Sequence, residues 1–556
     1  MMNHSKADMT ANKKPLAPIK IVMVQDVFQV GDIKSNADKI IAASIKASDE
    51  GADLVVFPEL ALVGYPPEDL LYRQGFLRQT HREALRIQQD LKHSIGDTGV
   101  VFGLPYEHTD KLYNAALYLN HGVIKQFCFK QALPNYSVFD ELRYFSAGHE
   151  SVLIDVKGHR IGLLICEDVW QQAIVEQSKN NGAQAIIVLN ASPFHINKHS
   201  ERLAVLQDHA RQFDLPIMYL NMTGGQDELV FDGDSLAVNR QSQLVARAKR
   251  FEPDTIDIVF DGDDIRSSHL FDEEESSEAV VYKALVTGVR DFVRQNGFSG
   301  VVIGLSGGVD SALTLAIAVD ALAAENVEAV MMPSRYTADI SLQDAEAEAA
   351  TLGVKYDVVA IEGVFNSFLS TLAPVFKGAA EDTTEENLQA RCRGVLLMAI
   401  SNKQGRMVLT TSNKSEMAVG YATLYGDMCG GFAPIKDVCK TLVYKLCRYR
   451  NSVSEVIPER VLSRSPTAEL REGQCDQDSL PEYHVLDRIL ELSVEQDKSV
   501  DEIVAQGISR EDVLHVITLV QRNEYKRRQS APGIRVTRRA FGRDRRYPIT
   551  SGYRRQ

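Results

Sequence analysis

From Ile19 to Phe260, short apolar runs rich in valine and isoleucine recur: IKIVMVQ, ADLVVFPE, VVFGLPY, AALYLN, VIKQFCFK, RIGLLIC, AIIVLN, PIMYL and TIDIVF. Runs of this length bounded by turn residues predict strands, some separated by stretches long enough for a helix. Asn120-His121-Gly122, between AALYL and VIKQF, predicts a hairpin, so the sheets are not purely parallel. A layered, mixed α/β domain is therefore expected over 19–261, behind a polar tail at 1–18. The pattern stops in DGDDIRSSHLFDEEESSEAV, which holds eight acidic residues and few aliphatic ones, and 262–276 is expected to be an acidic linker.

After the linker the periodicity changes. VYKALVTGVRDFVRQNG reads as an amphipathic helix closed by Gly297. VVIGL, VEAVMM, YDVVAI and RMVLTT then alternate with alanine-rich helical stretches, the order of a right-handedly wound parallel sheet, and a second domain is expected over 277–556. KGAAEDTTEEN, 377–387, interrupts this as a lid or a surface loop.

The length of 556 residues is too great for one core. Apolar stretches such as IGLLI and AIIVL fall far short of the ~18 residues that span a bilayer, and MMNHSKADMTANKKPLAPIK lacks the apolar centre of a secretory signal, so no membrane partner is expected. A net charge of −14 (61 basic against 75 acidic residues) disfavours a surface built for nucleic acid. Seven scattered cysteines without a C-x-x-C pair argue against a disulfide framework or zinc ribbon and for a reduced, cytoplasmic setting.

In VVIGLSGGVDSALTLAIAV a buried strand leads through Gly304, Leu305, Ser306, Gly307, Gly308, Val309, Asp310 and Ser311 into an apolar helix. Glycines let the backbone approach an anion, and the helix N-terminus aims free N–H groups at it. The spacing and lysine of a Walker A loop are absent, and Asp310 beside polyphosphate suits a Mg²⁺ ligand. SGGVDS in this setting resembles the ATP pyrophosphatase family, whose members cleave ATP between the α and β phosphates.

In the first domain Glu59, Lys130 and Cys166 each end or follow a strong strand run. Together they would make coherent chemistry: a base for the thiol, an ammonium for the developing oxyanion, and a sulfur nucleophile for a carboxamide or nitrile carbon. FPEL, FKQALPNYSVFDELRYFSAG and ICEDVW around them resemble the nitrilase superfamily in the same chain order. That resemblance implies a Glu-Lys-Cys triad in an αββα sandwich, with Glu141 as an acidic neighbour of the triad.

A nitrilase-like amidase followed by an ATP pyrophosphatase domain resembles the glutamine-dependent NAD synthetases. The implied fold is a two-domain α/β chain, an αββα sandwich and then a Rossmann-like parallel sheet with the pyrophosphatase loop. The implied reaction is amidation of deamido-NAD at the cost of ATP, with glutamine as nitrogen source and a homo-oligomeric assembly. NLQARCRG, TTSNKSE, YATLYGDMCGG and YKRRQSAPG extend the match. By that resemblance Tyr136, Glu141, Ser192 and Lys198 would serve glutamine, with Arg202 as the alternative to Lys198. Thr411 and the loop 304–311 would bind ATP. Asn387, Glu416, Tyr421, Ala422, Thr423, Leu424 and Lys526 would bind deamido-NAD, and Asp310 with Glu416 would hold Mg²⁺. Another amide-dependent adenylating synthetase is the alternative.

Two features stand outside this scheme. His195 and His199 have the spacing of a zinc pair but lack its glutamate, which favours hydrogen-bonding roles. From Tyr525 onward, eleven Lys or Arg face one acid, Asp544. A nucleic-acid arm is one reading of that stretch; charge matching to phosphates and an acidic partner surface is the other.

Overall fold

The computed structural model describes residues 16–269 and 274–553. In strand Ile19–Gln25 side chains alternate: Ile19, Ile21 and Met23 enter a layer between two sheets, whereas Val22 and Val24 face helices. Burial on both faces explains why these strands read as continuous apolar runs.

The first sheet has seven strands in the order Ile265–Arg266, Asp254–Phe260, Ile19–Gln25, Leu54–Val56, Gly99–His108, Lys111–Asn120 and Val123–Phe129. Its centre is parallel and its flanks antiparallel. The expected hairpin is present, with His121 and Gly122 both left-handed at φ 53° and 62°, as a two-residue turn of this twist requires. The second sheet runs Leu244–Arg247, Leu236–Val238, Ile217–Asn221, Ala185–Asn190, His159–Ile165 and Val152–Val156. Ile161, Leu163 and Ile165 of this sheet meet Ile21, Met23 and Val56 of the first. Helices Ile33–Asp49 and Gln74–Leu91 cover one outer face, and Gln172–Asn180 and Lys198–Phe213 the other, giving the αββα order.

The second domain holds a parallel sheet, Lys355–Val358, Val327–Met331, Val301–Gly304 and Met407–Leu409. Val301, Ile303 and Leu409 pack toward helices Ser277–Gln295, Val309–Leu322 and Lys440–Val453. Val302, Val330 and Val408 pack toward Glu362–Phe376 and Thr383–Gln404. A helical annex is built on Tyr483–Leu490 and Arg510–Arg522.

Within 262–276, Ile265–Arg266 still pair with Val259 and Phe260, and Ser276 caps the helix Ser277–Gln295 by accepting from Ala279 N. Residues 270–273 of that stretch, and 1–15 of the tail, lie outside the described residues. In the 377–387 stretch Asp382 caps helix Thr383–Gln404. The two halves share a core: Phe194, Val230 and Phe251 pack with Val289 and Ile534.

Candidate active sites

In the first domain, strand Val123–Phe129 delivers Lys130, strand His159–Ile165 delivers Cys166, and Glu59 follows Leu54–Val56. Lys130 and Glu59 are fully buried, and Lys130 Nζ lies 2.7 Å from Glu59 Oε1 and 2.8 Å from Glu141 Oε1. Glu59 is oriented by Asn114 Nδ2 at 2.7 Å and by Ala191 N at 2.9 Å; Tyr65 OH donates to Glu141 at 2.8 Å. Burial works against the Lys130 charge, but Glu141 and Glu59 more than offset it and its pKa rises, so the ammonium is permanent. Burial, reinforced by Glu59, raises the Cys166 thiol well above its ordinary value, with Lys130 opposing. The sulfur therefore rests as a thiol and would need a base to act as a nucleophile.

Cys166 has φ 48°, a left-handed conformation of the kind found in strained nucleophile turns. The turn is tied down by buried Asp168, which accepts from Ile165 N at 3.0 Å, Gln131 N at 2.9 Å and Ala132 N at 2.8 Å. One carboxylate thus locks the Cys166 turn to the strand end that carries Lys130.

The expected glutamine contacts surround this centre. Tyr136 OH donates to Glu167, 3.0 Å from each carboxylate oxygen. Ser192 N donates to Asn221 Oδ1 at 2.9 Å. Lys198 Nζ sits 4.1 Å over the Trp170 ring, its pKa lowered by burial and then by Arg202. Arg202 itself is buried in a pair with Asp232 at 2.8 Å and donates to Ser192 O at 2.8 Å, which makes it a support for Ser192. His195 Nδ1 lies 2.7 Å from Ile196 O and His199 Nδ1 2.6 Å from Asp234.

In the second domain Gly307 has φ +78°, and a Cβ there would fall 2.3 Å from Ser341 O, so only glycine fits. Helix Val309–Leu322 starts from Gly308 without a side-chain cap, leaving its first N–H groups for an anion. Arg464 braces the turn, donating to Gly307 O at 3.0 Å and Ser341 Oγ at 2.9 Å. Asp310 accepts from Asn413 Nδ2 at 2.9 Å and from Lys440 Nζ at 2.5 Å; Lys440 also reaches Glu416 at 2.9 Å. Burial, partly opposed by Lys440, pushes Glu416 up to about 7.

A cavity of about 570 Å³ opens over this loop. Gly304, Leu305, Ser306, Gly308, Val309, Asp310, Ser311, Thr411, Asn387, Glu416, Tyr421, Ala422, Thr423 and Lys526 all line it. Gly307 and Leu424 are not in the wall; Leu424 O instead accepts from Arg391 Nε at 3.2 Å. Lys526 Nζ donates to Gly420 O and Ala422 O, 2.9 Å each, and thereby shapes the 420–422 turn. Lys440 and Arg464 were missed in the sequence. Nothing near either residue announces a phosphate site, because Lys440 reaches the loop from the start of helix Lys440–Val453 and Arg464 from the bend after helix Glu459–Ser463, both far along the chain.

Together the halves define a carbon–nitrogen hydrolase fused to a nucleotide-dependent synthase. The carbon-nitrogen hydrolase family model matches residues 21–269 and the NAD synthase model residues 281–530. The chain is 46% identical over 540 residues to the glutamine-dependent NAD(+) synthetase of Acinetobacter baylyi (96% of this chain, 99% of that one) and 49% identical over 548 residues to that of Xylella fastidiosa (96% and 99%). Among solved structures, a glutamine-dependent NAD+ synthetase of Acinetobacter baumannii in complex with adenosine diphosphate superposes with TM-score 0.78 at 45% identity, covering 97% of this chain and 100% of that one. The chain belongs to the glutamine-dependent NAD(+) synthetase family.

Proposed function

We propose that the protein converts deamido-NAD to NAD, with ATP as co-substrate and ammonia drawn from glutamine, and that the two sites above divide the work. The observation that carries the reading is the coexistence in one chain of an intact Glu59–Lys130–Cys166 cluster and an uncapped, glycine-lined loop under a large cavity. Glu59 takes the Cys166 proton as sulfur attacks the glutamine amide, and the Lys130 ammonium stabilises the oxyanion. Ammonia leaves, a thioester remains, and water releases glutamate. Tyr136, Ser192 and Lys198 hold the amino-acid end, and Glu141 keeps Lys130 charged.

In the second domain the nicotinate carboxylate attacks the α-phosphorus of ATP, giving an adenylate and pyrophosphate; ammonia then forms the amide and expels AMP. Loop 304–311 and Thr411 cradle ATP, while Asn387, Glu416, Lys526 and 421–424 hold deamido-NAD. Two carboxylates gathered on one ammonium, Asp310 and Glu416, fit Mg²⁺ shared with phosphates, which would neutralise their charge. Free ammonia is mostly protonated at neutral pH, so a sheltered passage is required. A second cavity of about 570 Å³ lies at the junction of the halves, between Tyr65, Phe139 and Glu141 of one and Lys436, Arg527 and Phe541 of the other.

Helix Glu362–Phe376 supports the homo-oligomer: VFNSFLSTLAPVF carries no charge, yet Phe368 and Val375 are exposed. We assign this face to a second copy of the chain, since self-association surfaces are the more apolar kind. No described helix is long and apolar enough to cross a membrane, and the free cysteines support the cytoplasm. Incubation with ATP, Mg²⁺, deamido-NAD and amide-¹⁵N glutamine tests the reading: label is expected in the NAD carboxamide. Absence of label, with free ammonia also inactive, refutes it.

A further inference from the structure

The side chains assigned to glutamine stand on two loops, 134–141 and 192–197, the second running into the helix that Lys198 opens, and both rest on one stretch contributed by the other half. Ile196 N donates to Val536 O at 2.8 Å. The N–H groups of Val536 and Thr537 donate to Asp437 Oδ2 at 2.9 and 2.7 Å, and Asp437 pairs at 2.9 Å with Lys414, which opens the helix bearing Glu416. Arg535 N donates to Glu228 O at 2.9 Å. The Arg535 guanidinium, almost wholly buried, reaches Ser137 Oγ at 3.5 Å, Arg538 O at 2.7 Å and Asp544 Oδ2 at 3.1 Å. Ser137 directly follows Tyr136 and is left-handed at φ 54°. Arg538 lies 3.5 Å from Glu201, which in turn is 3.4 Å from Lys198 Nζ and 3.5 Å from His195 Nε2.

An exposed ion pair such as Arg538–Glu201 counts for little alone. Val536 and Arg535, however, are 0% and 7% exposed; Val536 O accepts from the backbone of one substrate loop, and the Arg535 guanidinium reaches the Ser137 hydroxyl of the other. Loops without regular structure keep a binding geometry only if something holds them, and a displacement of ~1 Å can cost ~10²-fold in rate.

We propose that Arg535, Val536 and Arg538, supplied by the synthetase half, are positioning residues of the glutaminase: they hold loops 134–141 and 192–197 in the arrangement that receives glutamine. This rests on the assignment of Tyr136, Ser192 and Lys198 as glutamine contacts. The basic C-terminal stretch thereby acquires a role that involves no nucleic acid.

The test uses the full-length protein carrying Arg535→Met with Asp544→Asn, which removes both members of the buried pair and strands neither charge. The expected result is a glutamine KM raised about tenfold, a glutaminase kcat within about twofold, and unchanged ammonia-supported synthesis; Arg535→Lys recovers part of the loss. An unchanged KM overturns the proposal, as does a parallel fall in ammonia-supported synthesis at an unchanged melting temperature. If the double variant does not fold, Arg538→Glu decides: a several-fold rise in KM, reversed by adding Glu201→Arg, is expected, and no rise overturns it. Ser192→Ala and Lys198→Ala are measured alongside. Should these leave KM unaltered, the contact assignment itself falls; should they raise it while the positioning variants do not, only the present proposal falls.

Discussion

Lys440 Nζ lies 2.5 Å from Asp310 Oδ2 although 130 residues separate them in sequence. Burial works against the lysine's charge, but Asp310 and then Glu416 more than offset it and its pKa rises. A permanent cation therefore stands at the mouth of the phosphate loop. Lys440→Met is expected to lower NAD synthesis from both glutamine and free ammonia by about 10²–10³-fold, the scale of losing one well-placed electrostatic partner. Glutamate release measured without ATP stays intact in the same variant.

Cys166→Ala separates the sites in the opposite sense. Glutamine-supported synthesis falls to background, whereas synthesis from ammonium chloride stays within about twofold, because Cys166 packs into the core of the first domain. Coupled assays with the two nitrogen sources on one preparation read both numbers.

Glu348 gives a prediction about stability. Its carboxyl is fully buried and neither oxygen has a partner; burial and then the Asp344 charge push it up to about 8, from an ordinary 4.5. The folded state thus binds this proton more tightly than the unfolded state, so stability is lost as pH rises from about 4.5 through about 8 and is flat above. Each unit of such a separation is worth about 1.4 kcal/mol. Glu348→Gln should leave the melting temperature almost unchanged near pH 5 and raise it by about 5 °C or more near pH 8.5. Thermal melts at the two pH values check this, and an equal effect at both contradicts it.

Phe368→Asp with Val375→Asp places two charges on the open apolar face of helix Glu362–Phe376. Light scattering is expected to show a smaller assembly with unchanged helix content; an unaltered mass assigns the contact between copies elsewhere.

Local chemistry was legible wherever it is contiguous. The His121-Gly122 turn, the Gly307 bend and the strand ends that carry Glu59, Lys130 and Cys166 all follow from short-range rules, and the structure places them accordingly. Flanking motifs carried the assignment of Asn387, Thr411 and Lys526, which the fold brings to one cavity. Lys440, Arg464 and Asn114 left no trace in the sequence because each acts across 100-odd or tens of residues through tertiary packing. Net charge was the least informative quantity. The C-terminal basic side chains are largely matched within the molecule, Arg527 and Arg545 with Glu524, Arg535 with Asp544, Arg539 with Asp497 and Arg546 with Asp140.

Phe194, Val230 and Phe251 belong by sequence to the hydrolase but by packing to the synthase. Cutting the chain between 269 and 274 would therefore not liberate two independent enzymes. Each fragment would carry a raw apolar facet, and the pair would have to find one another again or clump. Covalent continuity here keeps a single object from falling into two insoluble ones, and modular swapping of either half would have to bring that facet's counterpart with it.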